Sequence, residues 1–280
     1  MDLRQLFNNY LTLLFVGATF LSASLANAGE QRLVLTGSST IAPVALEIGK
    51  RFEEQNPGVR VDVQTGGSSR GIADARSGMA DIGMASRELA ASEQDLHAFP
   101  IALDGIALIV HSSNPISILS NQQIIDIYTG KITHWKQVGG ADKSITVVNK
   151  AEGRSTLELF LGYFKLTNSQ IKASVVIGDN QQGIKTVAGN PFSIGYVSIG
   201  TAEYEASAGI PIKLLPMNSV IASVATVQQG EFPLSRPLNL VTREAPSGLL
   251  KQFIDFARSD AVSDLILDQY FVPLQAAKKP

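Results

Sequence analysis

The stretch Thr36-Gly37-Ser38-Ser39-Thr40 decides how this chain is read. It follows an apolar run, Arg32-Leu33-Val34-Leu35, that reads as a strand, and it leads into a second apolar run opening at Ile41-Ala42-Pro43. Proline suits the first turn of a helix, where its missing N–H is no loss. A strand, a loop of small hydroxyl residues and a helix start place free N–H groups and hydroxyls on one side, an arrangement that binds anions. The junction recurs twice. Gly66-Gly67-Ser68-Ser69-Arg70-Gly71 follows the alternating run Val59-Arg60-Val61-Asp62-Val63, and Glu152-Gly153-Arg154-Ser155-Thr156 follows Ile145-Thr146-Val147-Val148. Ser and Thr are also ordinary helix N-caps, so one junction alone says little. Three of them, two carrying arginine, predict convergence on one small oxyanion.

Outward from these loops the pattern is strand, helix, strand, helix. The spacing predicts strands over 33–36, 59–63 and 81–85, with helices over 44–52, 72–77 and 92–97. The apolar run 101–110 reads as two strands broken at Asp104-Gly105. The polar, Pro-terminated segment 111–115 marks a crossing into a second lobe. That lobe is expected to hold helices over 121–128, from Ser155, and over 181–188, with strands over 145–148 and 174–177. The chain returns around Pro211 to Pro216, adds a strand over 238–241, and closes with helices over 249–258 and 261–267. Alternating elements predict an α/β fold, each lobe a mixed, mostly parallel sheet flanked by helices. The expected division is 29–110 plus 216–280 for lobe one and 111–215 for lobe two.

Composition is that of a globular protein: 280 residues, 45% hydrophobic and 17% charged. A net charge of -2 argues against a nucleic-acid surface but not against a small anion held by neutral donors and one or two arginines. Residues 1–28 read as a secretory signal, an apolar stretch over 9–25 ending in Ala26-Asn27-Ala28, so cleavage after Ala28 and a periplasmic location are expected. No later segment approaches ~20 uninterrupted apolar residues. With no cysteine there is no disulfide, no thiol nucleophile and no acceptor for an N-terminal lipid. Three scattered histidines give no zinc spacing. Neither a metal nor a cofactor is expected.

These loops, with Asp81-Ile82-Gly83-Met84-Ala85-Ser86-Arg87-Glu88, Asp104-Gly105-Ile106-Ala107, Gly130-Lys131-Ile132-Thr133-His134-Trp135 and Phe271-Val272-Pro273-Leu274, resemble the periplasmic phosphate-binding proteins of ABC-type phosphate importers. The resemblance covers nearly all of the chain beyond the signal. It implies the two-lobed periplasmic-binding-protein fold of the type II superfamily, ligand in the interlobe cleft, no catalysis, and a membrane permease as partner. One departure stands out. The family usually has an arginine a few residues before a Gly-Ser-Gly-Thr loop; here Lys150 stands near that arginine, and Arg154 stands where a small serine is usual.

The candidate ligand residues are Ser38, Ser39, Thr40, Ser68, Ser69, Arg87, Asp104, Arg154, Ser155 and Thr156. An arginine can grip two oxygens of an oxyanion at once. Arg87 follows a strand end, where ligands of open α/β sheets gather. Phosphate keeps a proton at neutral pH and sulfate does not, so a carboxylate at Asp104 is expected to accept that proton and to disfavour sulfate. Each of these residues also has an ordinary role open to it: N-cap, surface ion pair or turn. The rival ligands are sulfate, molybdate and tungstate. A rival of another class is a serine hydrolase, because Gly67-Ser68-Ser69-Arg70-Gly71 matches G-x-S-x-G between strand and helix.

Overall fold

The computed structural model describes residues 31–274, so the expected signal segment lies outside the described residues. Among the described residues ten strands form one mixed sheet with the order β2-β1-β3-β9-β4-β7-β5-β6, and β8 and β10 also pair with β4. The strands are β1 (Gln31–Gly37), β2 (Val59–Thr65), β3 (Ile82–Ala85), β4 (His97–His111), β5 (Thr146–Lys150), β6 (Val175–Ile177), β7 (Ser193–Ser198), β8 (Ile212–Leu214), β9 (Ser235–Thr242) and β10 (Val272–Pro273). Parallel pairing holds in the outer parts, β2-β1-β3 and β7-β5-β6, and antiparallel pairing in the centre around β4 and β9.

Helices join the parallel strands. α1 (Ala42–Gln55) and α2 (Ser68–Ser77) carry the first two loops, and α3 (Asn121–Tyr128), α4 (Ser155–Phe164), α5 (Asn180–Gly189) and α6 (Ile199–Ser207) flank β5 to β8. α7 (Val224–Gln228), α8 (Gly248–Ala257) and α9 (Ser263–Asp268) complete the set among the described residues. α1 shows why the pattern folds as it does. Ala42, Val44, Ala45, Ile48, Gly49 and Phe52 recur at helical spacing and are all buried on one face. Gly37, with φ +131, lets the first loop turn sharply, and a Cβ on the neighbouring Gly71 would lie 2.7 Å from the Gly37 Cα. The first two loops therefore meet backbone to backbone.

β4 is one continuous strand of 15 residues, not two strands broken at Asp104-Gly105. Its first half pairs with β9 and β10, its second with β7 and β8. Gly105 is a close-approach glycine inside the strand and makes no turn: a Cβ there would sit 2.6 Å from Ile199 Cδ1. Residues 92–97 are likewise not a helix. A short 3₁₀ turn, Ala91–Glu93, is closed by the Glu93 carboxylate accepting from the Ala90 N–H at 2.8 Å, and β4 begins at His97.

The apolar core divides along the central strands. One cluster holds Leu35, Ile48, Met84, Ala102, Leu238 and Phe253; another holds Ile106, Leu108, Trp135, Phe160, Tyr196 and Leu234. The change from one to the other falls between Ala102 and Ile106 on β4, and between Leu234, one residue before β9, and Leu238 within it. Asp104 and Arg236 face each other in register at that division.

Candidate anion-binding site

Arg236 is the centre of the site, and nothing in the loop pattern announces it. It is 2% exposed, and its guanidinium meets groups from four separate segments. Nη2 donates to Thr40 Oγ1 at 3.3 Å; Nη1 donates to Ser86 Oγ and to Thr156 Oγ1, each at 3.2 Å. Nε and Nη2 both donate to Asp104 Oδ2, at 3.1 and 2.8 Å. Asp104 Oδ1 accepts from Ser198 Oγ at 3.0 Å and from the Gly200 N–H at 3.3 Å. All four acceptor directions of the carboxylate are thus met by protein donors. Asp104 orients Arg236 and has no acceptor direction left over.

The hydroxyls gather around this pair. Ser38 Oγ donates to Ser86 Oγ at 3.0 Å and accepts from the Thr40 N–H at 3.2 Å. Ser68 Oγ accepts from the Ser86 N–H at 3.2 Å and from Ser155 Oγ. Ser38, Thr40, Ser68, Ser86, Ser155 and Thr156 are all buried, at the starts of α1, α2 and α4 and the end of β3. Hydroxyls at helix starts carry the positive end of the helix dipole beside them. The structure brings these six together with Arg236 and Asp104.

Two further buried residues extend the cluster. Asn180, the first residue of α5, donates through Nδ2 to Thr40 Oγ1 at 3.2 Å. Its Oδ1 accepts from Lys150 Nζ at 2.9 Å. Burial brings the Lys150 ammonium down to about 7; Asp179 opposes this, and the nearby Arg236 and Arg154 guanidiniums add to it. Beyond Asn180 and Ser39 opens a cleft of about 470 Å³, lined by Pro43, Leu46 and Val63 on one side and Asp179, Gln181 and Thr201 on the other.

The remaining candidates lie at the edge. Arg154 occupies the N-cap position of α4 in extended conformation, its side chain against Gly67 and Gly178 and making no capping hydrogen bond. Its Nε is buried without a hydrogen-bond partner, and among the described residues it forms no ion pair with Glu152 or Glu158. Arg87 turns away from the hydroxyls: it pairs with both oxygens of Glu93, at 2.7 and 2.9 Å, and with Glu158. The hydrogen bond from Arg87 holds the Glu93 carboxyl below the ordinary glutamate range. Ser69 Oγ donates to Glu158 Oε1 at 2.7 Å, so the serine of the G-x-S-x-G pattern faces a carboxylate.

A mixed sheet flanked by helices is the arrangement of the periplasmic-binding-protein fold. Residues 22–261 match the family model described as the PBP superfamily domain. A structure from Clostridium perfringens, assigned as a phosphate ABC transporter substrate-binding protein and carrying bound phosphate, aligns with TM-score 0.79 at 31% identity, over 88% of this chain and all of that one. A phosphate transport receptor from Vibrio cholerae aligns with TM-score 0.73 at 30% identity, over 86% of this chain. The phosphate-binding protein PstS of Bacillus subtilis is 26% identical across 96% of both chains. The chain belongs to the PBP superfamily and, within it, to the PstS-like substrate-binding proteins of phosphate ABC transporters.

Proposed function

We propose that this is an exported solute-binding protein that captures inorganic phosphate between two lobes and delivers it to the permease of an ABC importer. The observation that carries the reading is the Arg236 guanidinium, fixed by Asp104 and touching hydroxyls of Thr40, Ser86 and Thr156 from separate segments. Those groups, with the helix-start N–H groups beside them, are donors of the number and kind that a tetrahedral oxyanion needs. The bound phosphate of the Clostridium perfringens relative supports the choice of anion.

The lobes are drawn at the change of core cluster and joined along β4 and β9: described residues up to Asp104 with those from Arg236 onward form lobe one and those between form lobe two, so 105–110 and 216–235 leave the expected lobe one; that change supports a bending point beside the ligand. Ser38, Thr40, Ser68, Ser155 and Thr156 contact the anion, with Ser39 at the cleft mouth. Arg154 adds charge from the second lobe. Asp104 acts through Arg236, and Arg87 and Ser69 hold the lobes together through Glu158. Export is supported by the apolar N-terminal stretch that ends in Ala26-Asn27-Ala28. Among the described residues no helix is long and apolar enough to cross a membrane.

The test is calorimetric titration of purified, anion-stripped protein with phosphate, arsenate and sulfate in turn. Saturable one-to-one heat with phosphate and arsenate, and weaker heat with sulfate, is expected. Sulfate binding tighter than phosphate would overturn the assignment.

A further inference from the structure

Lys150 ends β5 and is 3% exposed. Among the described residues its ammonium has one hydrogen-bond partner, Asn180 Oδ1, and forms no ion pair. The charged groups facing it are Asp179 before α5, Arg236 on β9 and Arg154 before α4; the Tyr196 hydroxyl of β7 accepts from its backbone N–H at 3.4 Å. Asp104 lies behind Arg236 and is satisfied there. An ammonium buried against an amide oxygen, with two guanidiniums near and no bonded carboxylate, is poorly stabilised as a cation. Burial accordingly brings it down to about 7. A phosphate dianion beside Arg236 reverses this balance, because an opposite charge within a few ångströms favours the charged form.

We infer that Lys150 is the residue that matches the charge of the site to its ligand: mostly uncharged in the empty protein at pH 8, it takes a proton from solvent as the phosphate dianion enters, so capture and proton uptake are one event. The inference rests on the phosphate reading above. The balance is simple: the amine lone pair gains a proton from the buffer, no other bond changes, and one negative charge of the ligand is met. An arginine, usual near this position in the family that the sequence resembles, stays charged at every working pH and takes up nothing. The lysine therefore makes capture weaken as pH rises above about 7, by up to about tenfold per pH unit until the bound-state value is passed.

Phosphate titrations of the full anion-stripped protein at pH 8, in buffers of different ionisation enthalpy, count the protons. The wild type should take up more protons than Lys150→Arg, by up to about 0.9, since the ligand's own ionisation is common to both. Equal proton counts would overturn the coupling while leaving phosphate capture standing. Absence of any phosphate heat in the wild type would overturn the phosphate reading and this inference with it. A measurement that needs no variant is the carbon-13 spectrum of lysine Cε at pH 8. One resonance should start at the neutral-amine position and move to the ammonium position when phosphate is added. A spectrum with every lysine charged before phosphate is added would overturn the inference.

Discussion

At the scale of single residues, the site depends on a charge pair that neither partner could sustain alone. Arg236 and Asp104 each have a side chain 1% exposed. Removing one partner of such a pair strands the other charge and costs roughly 3–5 kcal/mol. Asp104→Asn keeps the shape but can offer only one acceptor oxygen, so Arg236 loses its orientation. Because Asp104 has no spare acceptor for a ligand proton, phosphate and sulfate affinity should fall together, by about one to two powers of ten, with their ratio unchanged. Paired calorimetric titrations check this; a ratio shifted toward sulfate would restore Asp104 as a direct reader of the phosphate proton. The loop serines and threonines were legible in the sequence because a strand–loop–helix junction is a local pattern. Arg236 and Asn180 were not, because their partners lie 132 and 140 residues away respectively. A signal did exist. Asp104 interrupts one apolar run and Arg236 precedes another, and two opposite charges in strands that must be buried predict each other.

At the scale of elements, β4 matters most, since it belongs to both core clusters. Reading Asp104-Gly105 as a turn failed because the same dipeptide suits a turn and a tight strand, and only the neighbours Ile199, Val227 and Phe232 decide which. Gly105→Ala tests the tight-strand account. Its Cβ would meet Ile199 Cδ1 at 2.6 Å and Val227 Cγ2 at 2.9 Å, so overpacking should cost about 1–3 kcal/mol, read as a lower denaturant midpoint. An unchanged midpoint would contradict the packing argument. α4 reaches across to α2 and to the segment after β3 through Glu158, which accepts from Ser69 and pairs with Arg87. Glu158 is 35% exposed, so the pair is partly screened. Glu158→Gln should speed phosphate release by about two- to fivefold in stopped-flow measurements, with little change in thermal stability. An unchanged release rate would show that this contact does not hold the closed form.

At the scale of the whole molecule, the groups proposed to hold the ligand come from both core regions, so the anion and a closed shape should stabilise each other. At phosphate about 100 times its dissociation constant, mass action adds roughly 2.7 kcal/mol of stability. Small-angle scattering should also show a smaller radius of gyration with phosphate than without it. An unchanged radius at saturation would leave binding in place and remove the clamp. The alternation of strands and helices made this architecture readable in outline, since burial of each helix on a sheet imposes its own periodicity. Where the core divides was less readable, because the division runs through the continuous strand β4 and the start of β9, and no polar linker marks it.

The most direct test of the central claim, that one oxyanion is held around Arg236 by groups from both regions, is a crystal structure with arsenate and the arsenic anomalous map. One strong peak is expected within hydrogen-bonding reach of Arg236, Thr40 and Thr156. A peak elsewhere, or Arg236 still bonded only to protein with arsenate bound, would contradict it.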